Sequence, residues 1–229
     1  MLQAKERAIL HHVMFDVDGT LVRSYELDEN CYLEAVYEVL GHHLDTDWTK
    51  YSYISDAGIL EQHIIENGLD AEGDSIRAEV KEVFTSKIAC RLKNNPAQQV
   101  PGAAKFITEL RRLENLSLSV ATGGWYETAL MKLESAAIDI SGIPIASSNN
   151  HFSRIEIMKI AKEKAVGKIK VPCTYFGDGE WDKMACEALG YNFVLVGNRT
   201  RHDQNIMDFK NAKQAMDTLA YNMTLATTT

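Results

Sequence analysis

Two aspartates lie one residue apart, directly after a short apolar run near the start of the chain. Asp16 and Asp18 follow the apolar residues 13–15, and a glycine and a threonine come next. Two carboxylates this close repel each other unless a positive charge lies near them. A strand that ends in such a pair is therefore a candidate for a site that uses a bound cation.

Chemically active residues also follow two later apolar runs, at 116–121 and 173–176. After these runs come, in order, Thr122, Gly123, Gly124, Gly177, Asp178, Gly179 and, one helical turn further on, Asp182. Ligands of an open parallel sheet bind beyond the carboxyl ends of its strands. We therefore expect acids and a hydroxyl to converge there from separate parts of the chain.

These groups suit phosphoryl chemistry. A divalent cation can hold Asp16 and Asp178 together, and an oxygen-only ligand set with retained waters favours Mg²⁺. Asp16 then stays ionised as a nucleophile, while Asp18 can carry a proton to a leaving group and later take one from water. The Thr122 hydroxyl and the Gly123 amide, near a helix N-terminus, can bind an anion. No serine or cysteine is arranged with a histidine for acyl chemistry.

Three stretches carry a family resemblance. The sequences DVDGT (16–20), ATGG (121–124) and GDGEWD (177–182) resemble motifs I, II and IV of the haloacid dehalogenase superfamily. The resemblance implies an α/β fold with a Rossmann-like parallel sheet core and an inserted helical cap of the C1 type. It also implies hydrolysis of a small phosphomonoester through an aspartyl-phosphate, similar to that of phosphoglycolate phosphatase.

The same resemblance implies a role for each motif residue. Asp16 is the implied nucleophile and Asp18 the acid/base, and the presence of Asp18 implies phosphoryl transfer because dehalogenase members lack it. Mg²⁺ is expected on Asp16, Asp178 and the backbone carbonyl of Asp18. Thr122 is expected to bind the phosphoryl group and Asp182 to orient the metal shell.

The cation of motif III is the point of departure from the family pattern. The family places a Lys or Arg near the phosphoryl group, and we expect it between residues 144 and 160, where the frequent Lys-Pro pair is missing. Arg154 and Lys159 are the candidates. Arg154 is preferred because it follows Ser153, an expected N-cap, and so begins a helix near the sheet edge.

Two classes of function stay open at this level. The first is an enzyme that hydrolyses a small phosphomonoester, with a phosphoglucomutase-like phosphotransferase as the alternative. The second is a binding or regulatory protein on the same fold, which the intact acidic motifs disfavour. Tyr25, Asp56 and His63, which lie outside the motifs, are candidates for contact with the substrate.

The intervening residues predict the elements that position these motifs. Apolar runs predict strands at 13–15, 116–121, 143–146, 173–176 and 193–196. Residues 102–115 and 182–190 have helical spacing of apolar residues, with Met184, Ala185, Ala188 and Leu189 on the apolar face of the second helix. Strands that alternate with helices indicate a parallel sheet covered on both faces.

Residues 24–95 differ from the rest of the chain. They show helical patterns and no convincing strand, so we expect a helical cap there, inserted into a core made of residues 1–23 and 96–229. The expected linkers are residues 21–24 and 93–102. The final residues, 224–229, are expected to be a frayed tail.

The composition is that of an ordinary globular protein of 229 residues with a net charge of -8. The negative charge argues against a nucleic-acid partner. Four scattered cysteines without a C-x-x-C pair disfavour zinc and indicate buried thiols in a reducing compartment. The N-terminal stretch lacks the pattern of a signal peptide, and no apolar run could span a membrane. We therefore expect a cytoplasmic monomer or homodimer that acts on a small phosphorylated metabolite.

Overall fold

Six strands form one parallel sheet in the computed structural model, which describes residues 11–225. The strands of the chain are β1 (His11–Phe15), β2 (Val22–Arg23), β3 (Gln98–Gln99), β4 (Leu116–Ala121), β5 (Ile145–Ala146), β6 (Cys173–Gly177), β7 (Asn192–Val196) and β8 (Asn205–Ile206). The sheet order is β5-β4-β1-β6-β7-β8, and every pairing in it is parallel. β1 lies inside the sheet, and all five of its residues are buried.

Helices cover the sheet and also form the stretch between β2 and β3. They are α1 (Tyr25–Leu40), α2 (Asp56–Glu66), α3 (Gly73–Asn94), α4 (Ala103–Leu110), α5 (Tyr126–Ser135), α6 (Arg154–Val166), α7 (Glu180–Leu189) and α8 (Ala212–Leu225). Short 3-10 turns occupy Trp48–Lys50 and Asp70–Glu72. None of the helices described between residues 11 and 225 has both the length and the apolar character needed to cross a bilayer.

The predicted α/β class with a Rossmann-like parallel sheet is confirmed. The five predicted strands correspond to β1, β4, β5, β6 and β7, and β4 has the predicted bounds. β8 was not predicted, because two residues are too few to show a periodic pattern.

The two expected linkers pair with each other. β2 and β3 form an antiparallel ribbon in which Val22 lies opposite Gln99 and Arg23 opposite Gln98. The amide of Val100 extends the ribbon by donating to the carbonyl of Leu21 over 2.8 Å. The helical stretch therefore leaves and rejoins the core at one place, through two paired strands rather than two loose linkers.

Helices α1, α2 and α3 pack around a hydrophobic cluster of their own. Its members on α1 and α3 have the helical spacing predicted for this stretch and include Cys31, Ala35, Val36, Ile76, Val80, Phe84, Ile88 and Leu92. Trp125, which precedes α5, belongs to the same cluster, with its ring 5.5 Å from that of Phe84. The structure describes all of residues 24–95 and assigns no strand to them. A separate cap domain with these bounds remains our proposal.

Two consecutive histidines begin β1 without exposure to solvent. His11 Nε2 lies 2.9 Å from Thr174 Oγ1, and His12 Nε2 lies 2.9 Å from Ser119 Oγ. Burial, with a smaller effect of the Lys162 charge, lowers the pKa of His11 to about 4 and that of His12 to about 3. Both rings are therefore neutral at pH 7 and tie β1 to its two neighbouring strands.

The predicted apolar face of α7 is correct at Ala185 and Leu189, which pack on the core, and wrong at Met184 and Ala188. Met184 and Ala188 were expected to pack on the core, but both are exposed, Met184 by 62%. The residues turned inward are Asp182, Ala185 and Cys186. The inward face of this helix thus holds a buried carboxylate, which apolar periodicity cannot predict.

Smaller departures occur at the ends of elements. α4 ends at Leu110, so Leu113, which lies within the predicted helical stretch 102–115, is beyond the helix and 36% exposed. Cys90 is exposed, whereas the other three cysteines are buried as expected. The expectation for the first ten residues lies outside the described residues, as does that for positions 226–229 of the tail.

Candidate active site

Three neighbouring strands bring the motif residues to one edge of the sheet. Asp16 follows β1, Thr122 follows β4 and Asp178 follows β6, and all three side chains are buried. The amide of Asp16 donates to the carbonyl of Phe176 over 2.9 Å, so the sheet itself fixes the backbone of Asp16. The predicted convergence of acids and a hydroxyl is therefore present.

The buried acids form a compact oxygen cluster. Asp16, Asp178 and Asp182 each offer a carboxylate oxygen, and these atoms lie within 4.8 Å of one another. Burial and the charge of Asp182 raise the pKa of Asp16 well above its usual range, and they raise the pKa of Asp178 to about 7. Carboxylates held together against their repulsion, with oxygen donors only, fit Mg²⁺.

Gly19 allows the loop after β1 to approach the acids. Its φ of +81° is in the left-handed region, and a Cβ atom built on it would overlap the Asp178 carboxylate. The Gly19 amide donates to the carbonyl of Val22 over 2.8 Å, which closes the loop. A glycine is required here both for its conformation and for the space.

Arg154 is the cation that the structure brings to the acids. Its Nη1 atom lies 2.9 Å from Asp182 Oδ1 and 3.4 Å from Asp16 Oδ1. Its buried Nε atom has no hydrogen-bond partner among the described residues and is free to donate to an anion. Lys159, the other candidate for motif III, is about half exposed and pairs with Glu156 over 2.8 Å.

The phosphate-binding candidates of motif II lie next to Arg154. Thr122 Oγ1 accepts a hydrogen bond from the amide of Gly124 over 3.1 Å, which holds the hydroxyl at the start of the turn into α5. A Cβ atom on Gly123 would lie 2.5 Å from Arg154 Nη2. Gly123 therefore leaves the space that the guanidinium occupies.

Asp182 is anchored by the protein on both carboxylate oxygens. Besides Arg154, its Oδ1 accepts from the Tyr175 hydroxyl over 3.2 Å, and its Oδ2 accepts from the amide of Gly179 over 3.2 Å. The second bond caps the N-terminus of α7. The expected role of Asp182 in supporting a metal shell stays a prediction.

Asp18 contacts a charged residue that the sequence analysis did not identify. Lys132 Nζ lies 2.7 Å from the Asp18 carboxylate and also contacts Asp28 Oδ1, and the Lys132 side chain is fully buried. The Ser24 hydroxyl donates to Asp18 Oδ1 over 2.5 Å. Burial alone would lower the pKa of Lys132, but the charges of Asp18 and Asp28 outweigh it and raise that pKa. Lys132 is therefore an ammonium ion.

Two signals could have pointed to the missed residues. Lys132 lies one helical turn after Thr128, which is buried, and so on the inward side of α5. Arg199 follows β7, and its Nη1 donates to Asp178 Oδ2 over 2.9 Å. Arg199 could have been found because ligands of a parallel sheet bind beyond the carboxyl ends of its strands. Lys132 could have been found because a lysine on the inward side of a helix indicates a buried carboxylate partner.

A cavity of about 100 Å³ lies above the acids, between the sheet edge and the helical stretch. Its floor includes Asp16, Asp18, Thr122, Gly123, Arg154 and Asp178, and its walls include Tyr25, Asp28, Glu29, Tyr32, Trp48, Asp56 and Trp181. Of the proposed substrate contacts, Tyr25 and Asp56 line the cavity. His63 does not, and its Nε2 lies 3.1 Å from His42 Nδ1.

Asp56 joins the helical stretch to motif II. Its amide donates to the carbonyl of Gly123 over 2.9 Å, and its Oδ2 accepts from the amide of Trp125 over 2.8 Å. The Tyr32 hydroxyl donates to the Asp56 carbonyl over 2.6 Å. Burial and the charge of Asp28 raise the pKa of Asp56 well above its usual range. The wall of the cavity is thus bonded directly to its floor.

The fold and the site define a class of α/β enzymes with an acidic centre at the carboxyl edge of a parallel sheet. A family model described as haloacid dehalogenase-like hydrolase matches residues 10–190. The chain belongs to the haloacid dehalogenase-like hydrolases. The resemblance of its motifs is confirmed, and the chain is an enzyme rather than a binding protein on the same fold.

Solved structures share this fold at low identity. A hydrolase from Pseudomonas syringae is 20% identical, with 90% of this chain and 98% of that chain covered and a TM-score of 0.66. CbbY from Rhodobacter sphaeroides, solved in complex with phosphate, is 19% identical over 87% and 95%, with a TM-score of 0.63. An archaeal beta-phosphoglucomutase from Pyrococcus sp. is 17% identical over 93% and 100%, with a TM-score of 0.54. No curated protein matches the chain.

Proposed function

We propose that the chain is a Mg²⁺-dependent phosphatase that hydrolyses a small phosphomonoester through an aspartyl-phosphate on Asp16. The observation that carries this proposal is the position of Asp16. It lies at the end of β1, 3.4 Å from Arg154 Nη1, on the floor of a cavity that is also lined by Thr122 and Asp178. A nucleophile, a cation and an anion-binding turn thus face one small space.

The residues divide the reaction into two displacements. The Thr122 hydroxyl, the Gly123 amide and Arg154 hold the phosphoryl oxygens. A carboxylate oxygen of Asp16 attacks phosphorus, the bond from phosphorus to the ester oxygen breaks, and Asp18 gives that oxygen a proton. Water then attacks the phosphoryl group on Asp16 while Asp18 takes a proton from it. The products are an alcohol and inorganic phosphate, and Asp16 is regenerated.

Mg²⁺ fits the acidic cluster of this site. The residues that would hold it are Asp16, Asp178 and the backbone carbonyl of Asp18, with Asp182 supporting the shell. When bound, Mg²⁺ supplies positive charge to ionised carboxylates and phosphoryl oxygens. The raised pKa values of Asp16 and Asp178 support this assignment, because those carboxylates lack sufficient compensating charge from the protein.

The size of the cavity supports the proposed substrate class. A space of about 100 Å³ under the helical stretch admits a small phosphorylated metabolite. The net charge of -8 further disfavours polyanions such as nucleic acids. Transfer of the phosphoryl group to a second sugar hydroxyl instead of water is the alternative, because both reactions use the same aspartyl-phosphate.

The test is release of phosphate from a panel of small phosphate esters, with Mg²⁺ and with excess EDTA. Mg²⁺-dependent release of inorganic phosphate is expected, and full activity in EDTA would contradict the metal assignment. Formation of an isomeric sugar phosphate without phosphate release would favour the phosphotransferase. Alkaline hydroxylamine should convert the trapped intermediate to a hydroxamate on Asp16, which mass spectrometry can locate.

A further inference from the structure

Lys132 is a buried charge that the proposed mechanism does not use. Its side chain is 0% exposed, and α5 carries it on the same inward side as Thr128, Ala129 and Leu133. Burial of an ammonium ion is unfavourable unless carboxylates and hydrogen bonds compensate for the lost hydration. The compensation here comes from Asp18 and Asp28, so the position of this charge has to be explained by those two residues.

The two partners of Lys132 belong to different parts of the molecule. Asp18 lies in the loop after β1, at the reacting centre, whereas Asp28 lies in the first turn of α1, in the helical stretch. The Ser24 hydroxyl, just before α1, donates to Asp18 as well. The carboxylate of Asp18 is therefore oriented by a core helix and by the start of the helical stretch at the same time.

A purely structural role would not require a lysine at this position. Well-packed apolar residues in place of a buried ionic group are often neutral or stabilising. A separate ion pair, Lys81 Nζ to Glu127 Oε1 over 2.9 Å, already ties α3 to α5 away from the site. The buried triad of Asp18, Lys132 and Asp28 thus adds orientation at the acid/base rather than a missing connection.

We propose that Lys132 is a positioning residue that holds the Asp18 carboxylate facing the leaving oxygen of the substrate, and that Asp28 makes this hold depend on α1. The inference rests on the proposed phosphatase function. It assigns Lys132 no contact with the substrate. Its effect is on one step, proton delivery by Asp18 as the ester bond breaks.

Leaving groups of different basicity distinguish this role from a structural one. An alkoxide leaves poorly without a proton, whereas p-nitrophenolate leaves well without one. Because kcat/KM covers the steps through the first irreversible displacement, it includes cleavage of the ester bond for both substrates, and only the alkyl phosphate needs proton delivery in that step. Lys132→Met should lower kcat/KM for an alkyl phosphate by about 10²-fold or more, the scale of general acid catalysis, and by less than about tenfold for p-nitrophenyl phosphate.

Companion variants separate the parts of the triad. Lys81→Met removes the other ion pair to α5 and should change kcat/KM for the two substrates equally and little. Asp28→Asn leaves Lys132 on Asp18 but weakens the link to α1. It should therefore lower kcat/KM selectively for the alkyl phosphate, as Lys132→Met does, but by a smaller factor. Asp18→Asn combined with Lys132→Met should be no slower on the alkyl phosphate than Asp18→Asn alone, because Lys132 acts through Asp18.

The outcomes separate this inference from the function on which it rests. If the wild type hydrolyses neither substrate, the proposed function fails, and the inference fails with it. If the wild type is active but Lys132→Met loses the same factor on both substrates, or adds fully to Asp18→Asn, the positioning role alone is overturned. Should Lys132→Met prove unfolded by circular dichroism, Asp28→Asn decides the question, and an equal loss on both substrates overturns the inference.

Discussion

Arg199 donates a hydrogen bond from Nη1 to Oδ2 of Asp178 over 2.9 Å, so a proposed metal ligand already has a cation partner. The guanidinium of Arg199 also lies over the ring of Tyr25, 3.5 Å from its centroid. Arg199 thereby links the metal site to a wall residue of the cavity. A positive charge in this position favours the ionised form of Asp178 but opposes the binding of a second cation there.

Arg199→Met should therefore lower the Mg²⁺ concentration needed for half-maximal activity. We expect a shift of about fivefold, because solvent screening at a partly exposed arginine leaves about 1 kcal/mol of repulsion. Titration of activity with Mg²⁺ measures the shift. Arg199→Lys keeps the charge and should titrate close to the wild type, and an equal shift in both variants would show that charge is not the cause.

Asp16→Asn should abolish turnover, by at least about 10⁴-fold, because an amide cannot form the acyl-phosphate. The same variant should be at least as stable as the wild type without metal, since burial and neighbouring acids raise the pKa of Asp16 and disfavour its charge. Phosphate release measures the loss of turnover, and the melting temperature in EDTA measures the stability without metal. Near-normal turnover in the folded variant would show that Asp16 is not the nucleophile.

The site residues whose placement at the sheet edge could be predicted from the sequence are those that directly follow a strand. Asp16, Thr122 and Asp178 each follow an apolar run, and parallel strands must bring such positions to one edge. Arg154 could be preferred because a helix start after β5 also lies near that edge. These positions depend only on the order of elements and on the strand-end rule.

The residues that it missed depend on how separate elements pack. The pairing of Lys132 with Asp28 joins positions 104 residues apart, and apolar periodicity does not show which helix faces which. The same limit explains α7, whose inward face holds the charged Asp182 beside Ala185 and Cys186. The ribbon of β2 and β3 was missed because two-residue strands are defined by their pairing and not by their composition.

The buried histidines of β1 predict a contribution to stability that is lost in acid. The pKa of His12 falls to about 3 in the folded chain from an ordinary value of 6.5, mainly because burial disfavours the charged ring. Between these values the unfolded chain binds a proton that the folded chain does not, so the free energy of unfolding decreases as pH falls through this window. Above the ordinary value the contribution is fully present.

His12→Gln should therefore change the pH dependence of unfolding. The melting temperature of the wild type minus that of the variant should decrease as the pH is lowered from 8 to about 5, because only the wild type carries this proton linkage. Taking the difference cancels the effects of the acidic cluster. A difference that stays constant over this range would mean that the folded chain protonates His12 without penalty.

The acidic residues that line the cavity predict that a substrate with a neutral leaving group is preferred over one with a negatively charged leaving group. Asp28 and Glu29 of α1 line the cavity, and Asp56 lines it next to the phosphate-binding turn. The charge of Lys132 is shared between Asp18 and Asp28, so it compensates only in part for these two acids. A second carboxylate on the substrate would meet like charge in a buried space, where electrostatic repulsion is poorly screened.

Phosphate esters with a carboxylate in the leaving group should therefore be poor substrates, although the motifs resemble those of phosphoglycolate phosphatase-like enzymes. Phosphoglycolate and 2-hydroxyethyl phosphate form a matched pair, because they are similar in size and differ in that charge. We expect kcat/KM to be at least about tenfold higher for the neutral ester, equivalent to 1.4 kcal/mol of repulsion. Glu29→Gln removes one wall charge and keeps an acceptor for Trp48 Nε1, which lies 3.0 Å from Glu29 Oε1. In this variant the ratio of kcat/KM for the neutral ester to that for phosphoglycolate should be smaller than in the wild type. A wild-type preference for phosphoglycolate would show that the wall carboxylates are neutral when the substrate binds.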